Sequence, residues 1–423
     1  MGNCCSNNVP RPYSMEKEVN ETEFEHGEDH SSISTYSEGE GRVRLRGHSR
    51  LVSMYSQQGR KGVNQDAMTV WEDFNGEKDM IFCGVFDGHG PYGHVVARYI
   101  RKHLPSKLSA AIKMSKQKIC MYNDANAAAE GGNHQTLSLA SWENTFLKSF
   151  NEMDQAIAQD INTDSFYSGS TAVTVIKQGD QLIIGNLGDS RAVLCTRGAT
   201  DQLIPVQLTV DLKPDIPSEA ERIRSCEGRI FAEEEEPDVY RMWMPEEDCP
   251  GLAMSRAFGD FCLKDYGLIS APDVFYRRLT KQDEFVVLAT DGVWDALTND
   301  EVIEIVASAP RRSRAARLLV KRAVQAWRYK FPGAMVDDCA AICLFLKDQP
   351  DSTKSGKNRR RRKNHYESAR NEDTTSVDSS TSKDEWVALK GLSRANTISK
   401  LTGLIRDVSR RHPSEFLEGV QVL

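Results

Sequence analysis

Two apolar runs stop dead on an Asp-Gly pair. "IFCGVFDG" ends at Asp87-Gly88 and "FVVLATDG" ends at Asp291-Gly292. Such unbroken apolar runs read as buried strands. A carboxylate at the end of a buried strand is costly to desolvate unless it is paired or coordinated. Other aspartates hold comparable places: Asp66 in "GVNQDAMTV", Asp189 in "IIGNLGDSRAVL", Asp295 one turn beyond Asp291, and Asp337 and Asp338 before "CAAICLFL". Asp-Gly is also a common turn pair, and spacing alone does not prove that these ends meet. Converging on one rim, they would form a set of hard oxygen ligands. Such a set suits Mg2+ or Mn2+; Zn2+ would draw His or Cys.

The elements come in blocks. "AMTVWEDF" and "DMIFCGVFDGHG" read as strands, and "YGHVVARYIRKHLPSKLSAAI" has helical spacing broken at Pro105. Residues 115–136 read as a low-hydrophobicity insertion, and "LASWENTFLKSFNEMDQAIAQD" as a second amphipathic helix. Three β-branched runs follow in "STAVTVIKQGDQLIIGNLGDSRAVLCT", then a short helix, "SEAERIRSCEG", ending at Gly228. "TNDEVIEIVASA" opens with a capping-box spacing, Thr298 to Glu301; "SRAARLLVKRAVQAWRYK" is a further helix and "DDCAAICLFL" a last strand. There is no βαβ alternation. The expected class is α+β: antiparallel sheets with helices on the outside.

The 423 residues allow one large domain with polar tails. Residues 1–48 are expected to be a disordered acidic tail, 49–348 the folded domain, and 349–423 a low-complexity linker and tail. A short helix is expected around Ile398, Leu401, Leu404, Ile405 and Val408. A net charge of −7 argues against general nucleic-acid affinity. The ten cysteines include no CxxC pair, and Cys83, Cys195, Cys339 and Cys343 lie in apolar runs. Core filling in a reducing, intracellular compartment accounts for them. "MGNCCS" fits N-myristoylation at Gly2 with Ser6, and Cys4 and Cys5 offer palmitoylation beside it. "RRRRK" (359–363) reads as a solvated linker, with nuclear-localisation and lipid-contact readings open, and "SRANTIS" (393–399) as a kinase target.

Six ordered motifs carry a resemblance: "VFDGHGPYGH", "GSTAVTVI", "GNLGDSRAVL", "PGLAMSRAFGD", "LATDGVWDAL" and "DDCAAICL". Over roughly residues 50–348 the chain resembles the metal-dependent type 2C protein serine/threonine phosphatases, and its style is similar to plant members. The resemblance implies a four-layer α/β/β/α sandwich of two antiparallel sheets flanked by helices. It implies that Asp87 bridges two Mn2+ or Mg2+ ions and that Gly88 lends its carbonyl to one. Asp291 and Asp337 would complete the other shell, and Asp66 would act through water. A metal-bridging hydroxide would attack phosphorus in line, and His89 would protonate the leaving oxygen. Asp189 and Asp295 match positions some members use for a weaker third ion. Gly259 and Asp260 match a motif that shapes the site edge. Asp338 stands where the family usually has Asn; with a one-residue slip it replaces Asp337 as ligand. The family's phosphate-contacting Arg is Lys61 here, preceded by Arg60, and a common Glu is Gln65. The usual "DHKP" is "DLKP" at Asp211–Pro214.

The leading expectation is therefore a protein serine/threonine phosphatase, monomeric and peripheral to the membrane through its lipid anchor. It would act in signalling at the cytoplasmic face of the plasma membrane, with a cytosolic pool and a nuclear route left open. Its partners would be phosphoserine and phosphothreonine proteins, kinases among them. A catalytically weak binding module that sequesters a kinase or sensor is the alternative, kept open by Lys61 and Gln65. A hydrolase of another phosphate ester is a third reading.

Overall fold

The computed structural model describes residues 35–38, 41–125, 137–160, 164–234, 236–347 and 393–394. Two antiparallel sheets form its centre. The first runs, in spatial order, Thr35–Glu38, Gly41–Arg44, Ala67–Glu72, Met80–Phe86, Ala172–Gln178, Gln181–Leu187, Asp273–Arg278 and Ser393–Arg394. The second runs Leu203–Gln207, Arg191–Arg197, Asp283–Ala289, Cys339–Phe345, Val52–Gln57 and Gly47–His48.

Period-two alternation divides each strand between two cores. From the first sheet, Phe82, Phe86, Ile176 and Ile183 face outward. They meet Val96, Ile100, Leu104, Trp142, Phe146 and Phe150 on the helices Gly93–Ala125 and Leu139–Gln159. Their neighbours Cys83, Val85, Val175 and Ile184 face inward and meet Val286, Leu288, Ile342 and Leu344 of the second sheet. The outer face of the second sheet, including Val193, Val287 and Cys343, packs on Val302, Leu319, Val320 and Ala323. Those belong to the helices Asn299–Ala307 and Ala315–Lys330, the first closed by the expected Thr298–Glu301 capping box. The result is the expected four-layer α/β/β/α sandwich. Strands sandwiched this way have no polar face, which is why their sequences read as unbroken apolar runs. Cys83, Cys195, Cys339 and Cys343 are buried in these layers as free thiols.

Several local readings change. The first helix is not broken at Pro105; it continues from Gly93 to Ala125, into the segment read as an insertion. Pro105 removes one N–H donor, and Leu104, Leu108 and Ile112, all fully buried, hold the turns on either side against the sheet. The helix Pro217–Ser225 ends before Gly228, and its left-handed residue is Glu227 (φ 65°). Regular structure also begins ahead of the expected boundary at residue 49. Gly41–Arg44 pairs with Ala67–Glu72 and buries Val43, which with Leu45 alternates with arginines just after the acidic tail, too short a signal to read as a strand. The expected tail helix lies outside the described residues. Of that tail, Ser393 and Arg394 are described as a short strand beside Tyr276 and Phe275.

A small three-stranded flap, Arg229–Ala232, Tyr240–Trp243 and Pro250–Leu252, stands apart from both sheets. Phe231 stacks on Trp243 within it at 4.8 Å. The chain returns from the flap through Arg256, whose fully buried guanidinium meets Glu219 at 2.6 and 2.9 Å and Asp273 at 3.1 Å. Burial opposes ionisation of Glu219, yet the Arg256 bonds prevail and lower its pKa from 4.5 to about 2. Because the folded value is depressed, this stabilisation is complete above pH 4.5 and is lost as the pH falls to about 2. Glu219→Ala should therefore cost about 3–5 kcal/mol, by leaving Arg256 buried without its main partner. A urea unfolding midpoint unchanged at pH 7 would rule this out.

Candidate active site

The register of the sheets decides which residues meet. Ala67 lies opposite Phe86, so Asp66 and Asp87 emerge side by side at one end of the first sheet. Ala289 lies opposite Ala341, and the Thr290 N–H bonds to Ala340 O, so Asp291 emerges beside Asp337 and Asp338 in the second sheet. The sheets are joined here by Thr290 Oγ1, which donates to Asp66 Oδ2 at 2.9 Å. Asp189 arrives through the turn after Gln181–Leu187, where Ser190 Oγ meets Thr171 Oγ1 at 2.8 Å and Thr171 Oγ1 accepts from the Asp87 N–H at 3.1 Å. Asp295 follows Asp291 by one helical turn. The strand ends singled out in the sequence thus do converge.

This basin carries too much negative charge for its surroundings. Burial, then repulsion from neighbouring aspartates, pushes the carboxyl pKa of Asp87 well up. Asp66 is raised by burial and by Asp338 and Asp291, against the Thr290 bond. Burial with Asp189 and Asp295 takes Asp291 from 3.8 to about 8, and burial takes Asp295 to about 6. Asp66 Oδ1 and Asp189 Oδ1 are buried without a hydrogen-bond partner. Two lysines offset part of the charge. Lys61 Nζ lies 2.5 Å from Asp337 Oδ2, and Lys213 Nζ lies 2.7 Å from Asp189 Oδ2. The Lys213 contact gives "DLKP" a role the sequence did not reveal: Asp211 holds Arg191 through two bonds of 2.6 and 2.9 Å, and Lys213 holds Asp189. Among the described residues, no three carboxylate, imidazole or thiol groups already close around one point at coordination distance. The donor set nevertheless fits a hard divalent cation: oxygen ligands, mutual repulsion and orphaned buried oxygens.

Asp337 and Asp338 separate cleanly. Asp338 accepts from the Gly59 N–H at 2.7 Å and the Gln65 N–H at 2.8 Å, so both its oxygens anchor the 59–65 loop. Asp337 meets Lys61 instead. Gly88 is required for space: a Cβ there would lie 2.3 Å from Gly93 O. Gln65 uses its amide to donate to Gly90 O at 3.0 Å, a bond that the Glu it replaces does not make as a carboxylate. Arg60 is exposed, and its backbone N–H bonds to Val336 O.

His89 has a partner that spacing did not reveal. Its Nε2 lies 2.6 Å from Asp260 Oδ2, across 171 residues of sequence, while Nδ1 is buried without a partner. Burial opposes the imidazolium, but the charge and hydrogen bond of Asp260 outweigh it and the pKa is raised. Asp260, expected to shape the site edge, bonds directly to the histidine. Gly169 leaves room for the pair, since a Cβ there would lie 2.0 Å from Asp260 Oδ2.

Residues 51–327 match the family model described as "Protein phosphatase 2C". The chain belongs to the protein phosphatase 2C family. It is 49% identical over 389 residues to "Probable protein phosphatase 2C 73" of Oryza sativa subsp. japonica, covering 87% of this chain and 90% of that protein. It is 54% identical over 333 residues to "Probable protein phosphatase 2C 65" of Arabidopsis thaliana, covering 77% and 86%. The fold is also that of a serine-threonine phosphatase 2C from Toxoplasma gondii, with a TM-score of 0.62 at 24% identity, over 73% of this chain and 99% of that one. The chain is thus a protein serine/threonine phosphatase of the 2C family, with that family's dependence on Mg2+ or Mn2+.

The raised carboxyl pKa values set a pH dependence. A carboxyl that binds its proton more tightly when folded makes the metal-free protein less stable as pH rises from 3.8 towards about 8. Metal binding displaces that proton, so affinity should rise about tenfold per pH unit per proton displaced below pH 8. The melting-temperature gain at fixed Mg2+ should be larger at pH 8 than at pH 6. Equal gains at both values would contradict the charge crowding described here.

Proposed function

We propose that this phosphatase hydrolyses phosphoserine and phosphothreonine in proteins, kinases among them. Two Mg2+ or Mn2+ ions would be held by Asp87, the Gly88 carbonyl, Asp291 and Asp337, with Asp66 acting through water. Asp189 and Asp295 would serve a weaker third ion. When bound, the ions withdraw charge from the phosphoryl oxygens and activate water for attack on phosphorus.

The observation that carries the reading is the juxtaposition of the carboxylate basin with the His89–Asp260 pair, 2.6 Å apart. Asp260 favours the imidazolium, so His89 stands ready as a proton donor near neutral pH. Nε2 faces Asp260, and His89 would pass its proton to the leaving serine or threonine oxygen. Lys61 supports the phosphate as a point charge, exchanging Asp337 for a phosphoryl oxygen, and Arg60 adds positive charge beside it. Gln65 and Asp338 hold the loop that presents Lys61.

A membrane role rests on sequence. Gly2, Cys4 and Cys5 lie outside the described residues, and no helix among the described residues is long and apolar enough to cross a membrane. Myristoylation at Gly2, reinforced by palmitoylation at Cys4 and Cys5, would hold a monomer at the cytoplasmic face of the plasma membrane, with a cytosolic pool.

Phosphopeptide hydrolysis with Mn2+ or Mg2+ should vanish with a chelator and in Asp87→Asn and Asp291→Asn. His89→Ala should lower kcat about 10²–10⁴-fold on phosphopeptides. It should matter far less for p-nitrophenyl phosphate, whose leaving group needs no proton. A wild-type chain without metal-dependent turnover would reject the enzyme reading in favour of the binding module. Gly2→Ala should move the full-length protein from the membrane to the soluble fraction of cells; unchanged partition would reject the lipid anchor.

A further inference from the structure

Three aromatic side chains stand exposed next to the His89–Asp260 pair. Tyr92 is 47% exposed, Phe166 50% and Tyr167 45%. Phe166 and Tyr167 pack edge to face with ring centroids 4.8 Å apart. They sit on a fixed frame. The Phe261 N–H bonds to Ser165 O, the Cys262 N–H to Phe166 O and the Asp260 N–H to Ser168 O. Gly169 pairs with His89 in a two-residue ladder. The Tyr92 N–H donates to Ser168 Oγ at 2.9 Å. The rings and the proton donor are thus carried on one hydrogen-bonded scaffold, and much of the ordering cost of a contact surface is met before a ligand arrives.

The chemistry says what passes over them. His89 serves the leaving oxygen, so the polypeptide of the substrate must lie on the His89 side. Lys61 serves the phosphate, on the other side. Val63 and Met335 are also exposed, but they neighbour Lys61 and Asp337 in sequence and belong to the phosphate side. Charge narrows the choice further. The flap segment Glu246–Glu247–Asp248 is acidic, with Asp248 paired to Arg229 at 2.7 Å. Met242 and Leu252 of the flap pack in one cluster with Cys262, whose N–H bonds to Phe166 O, so the flap joins the scaffold that carries the rings.

We propose that Tyr92, Phe166 and Tyr167 form a substrate-selecting platform. It takes a bulky apolar side chain beside the phosphorylated residue, with a basic residue beyond it facing Glu246–Asp248. The proposal rests on the phosphatase reading above and deepens it. Edge-to-face rings accept aromatic or branched aliphatic side chains, and the acidic flap edge favours a lysine or arginine whose stem lies along the rings.

The test uses full-length protein with Mn2+ and three substrates. Two are phosphoserine peptides that differ only in flanking residues, Phe with a distal Arg against Gly with a distal Ser. The third is p-nitrophenyl phosphate, which has no flanking residues. Wild type should favour the Phe peptide by about tenfold in kcat/KM. Tyr167→Ala and Phe166→Ala should remove most of that preference through KM, leaving p-nitrophenyl phosphate turnover unchanged. Equal use of both peptides by wild type would overturn the platform alone. An equal loss on all three substrates in the variants would also overturn it, since that marks a structural role. No turnover of any substrate by wild type would overturn the phosphatase reading and the platform with it.

Discussion

Carboxylates brought together out of water at the seam of two sheets repel one another, and much of the site follows from managing that repulsion. Asp66, Asp87 and Asp291 each resist ionisation because of burial and because of neighbouring aspartates. The protein answers with Thr290 bridging the sheets to Asp66, Lys61 on Asp337 and Lys213 on Asp189. What remains uncompensated is the driving force for a divalent cation. Affinity for metal and strain in the metal-free fold are then two aspects of one electrostatic fact.

The segment from Arg256 to Cys262 ties this basin to the rest of the molecule. At one end, Arg256 is locked between Glu219 and Asp273. At the other, Asp260 holds His89 and its neighbours fix the strip bearing Phe166. Asp154 supports the middle by accepting from the Gly259 N–H at 2.9 Å and pairing with Lys264 at 2.8 Å. Anchoring, the contact with His89 and the placement of the exposed rings share one short stretch of chain.

Much of this was legible because the residues concerned announce themselves locally. An apolar run ending in Asp-Gly marks a buried strand that delivers a carboxylate, and both such runs do so. The antiparallel α+β class followed from block order, and the four layers from the family resemblance. Other features were illegible because they depend on contacts across long sequence separations. Nothing local to His89 points to Asp260, and nothing local to "DLKP" points to Asp189. That Asp338, and not Asp337, accepts from the Gly59 and Gln65 amides is a matter of loop path. Val43 escaped notice because its alternation with Leu45 among arginines is too short to stand out from the polar tail before it. Pro105 misled because tertiary packing outweighs the loss of a single helical hydrogen bond.

Lys213 has a further consequence. A chelator strips divalent ions, but it cannot strip an ammonium group. When metal is withdrawn, Asp189 keeps its counter-charge at 2.7 Å, while Asp66 keeps the neutral Thr290 hydroxyl. Loss of metal would therefore be felt unevenly, least at Asp337 and Asp189, which keep their lysines, and more at Asp66. The two lysine-held carboxylates would stay as fixed points about which a metal-free site could relax.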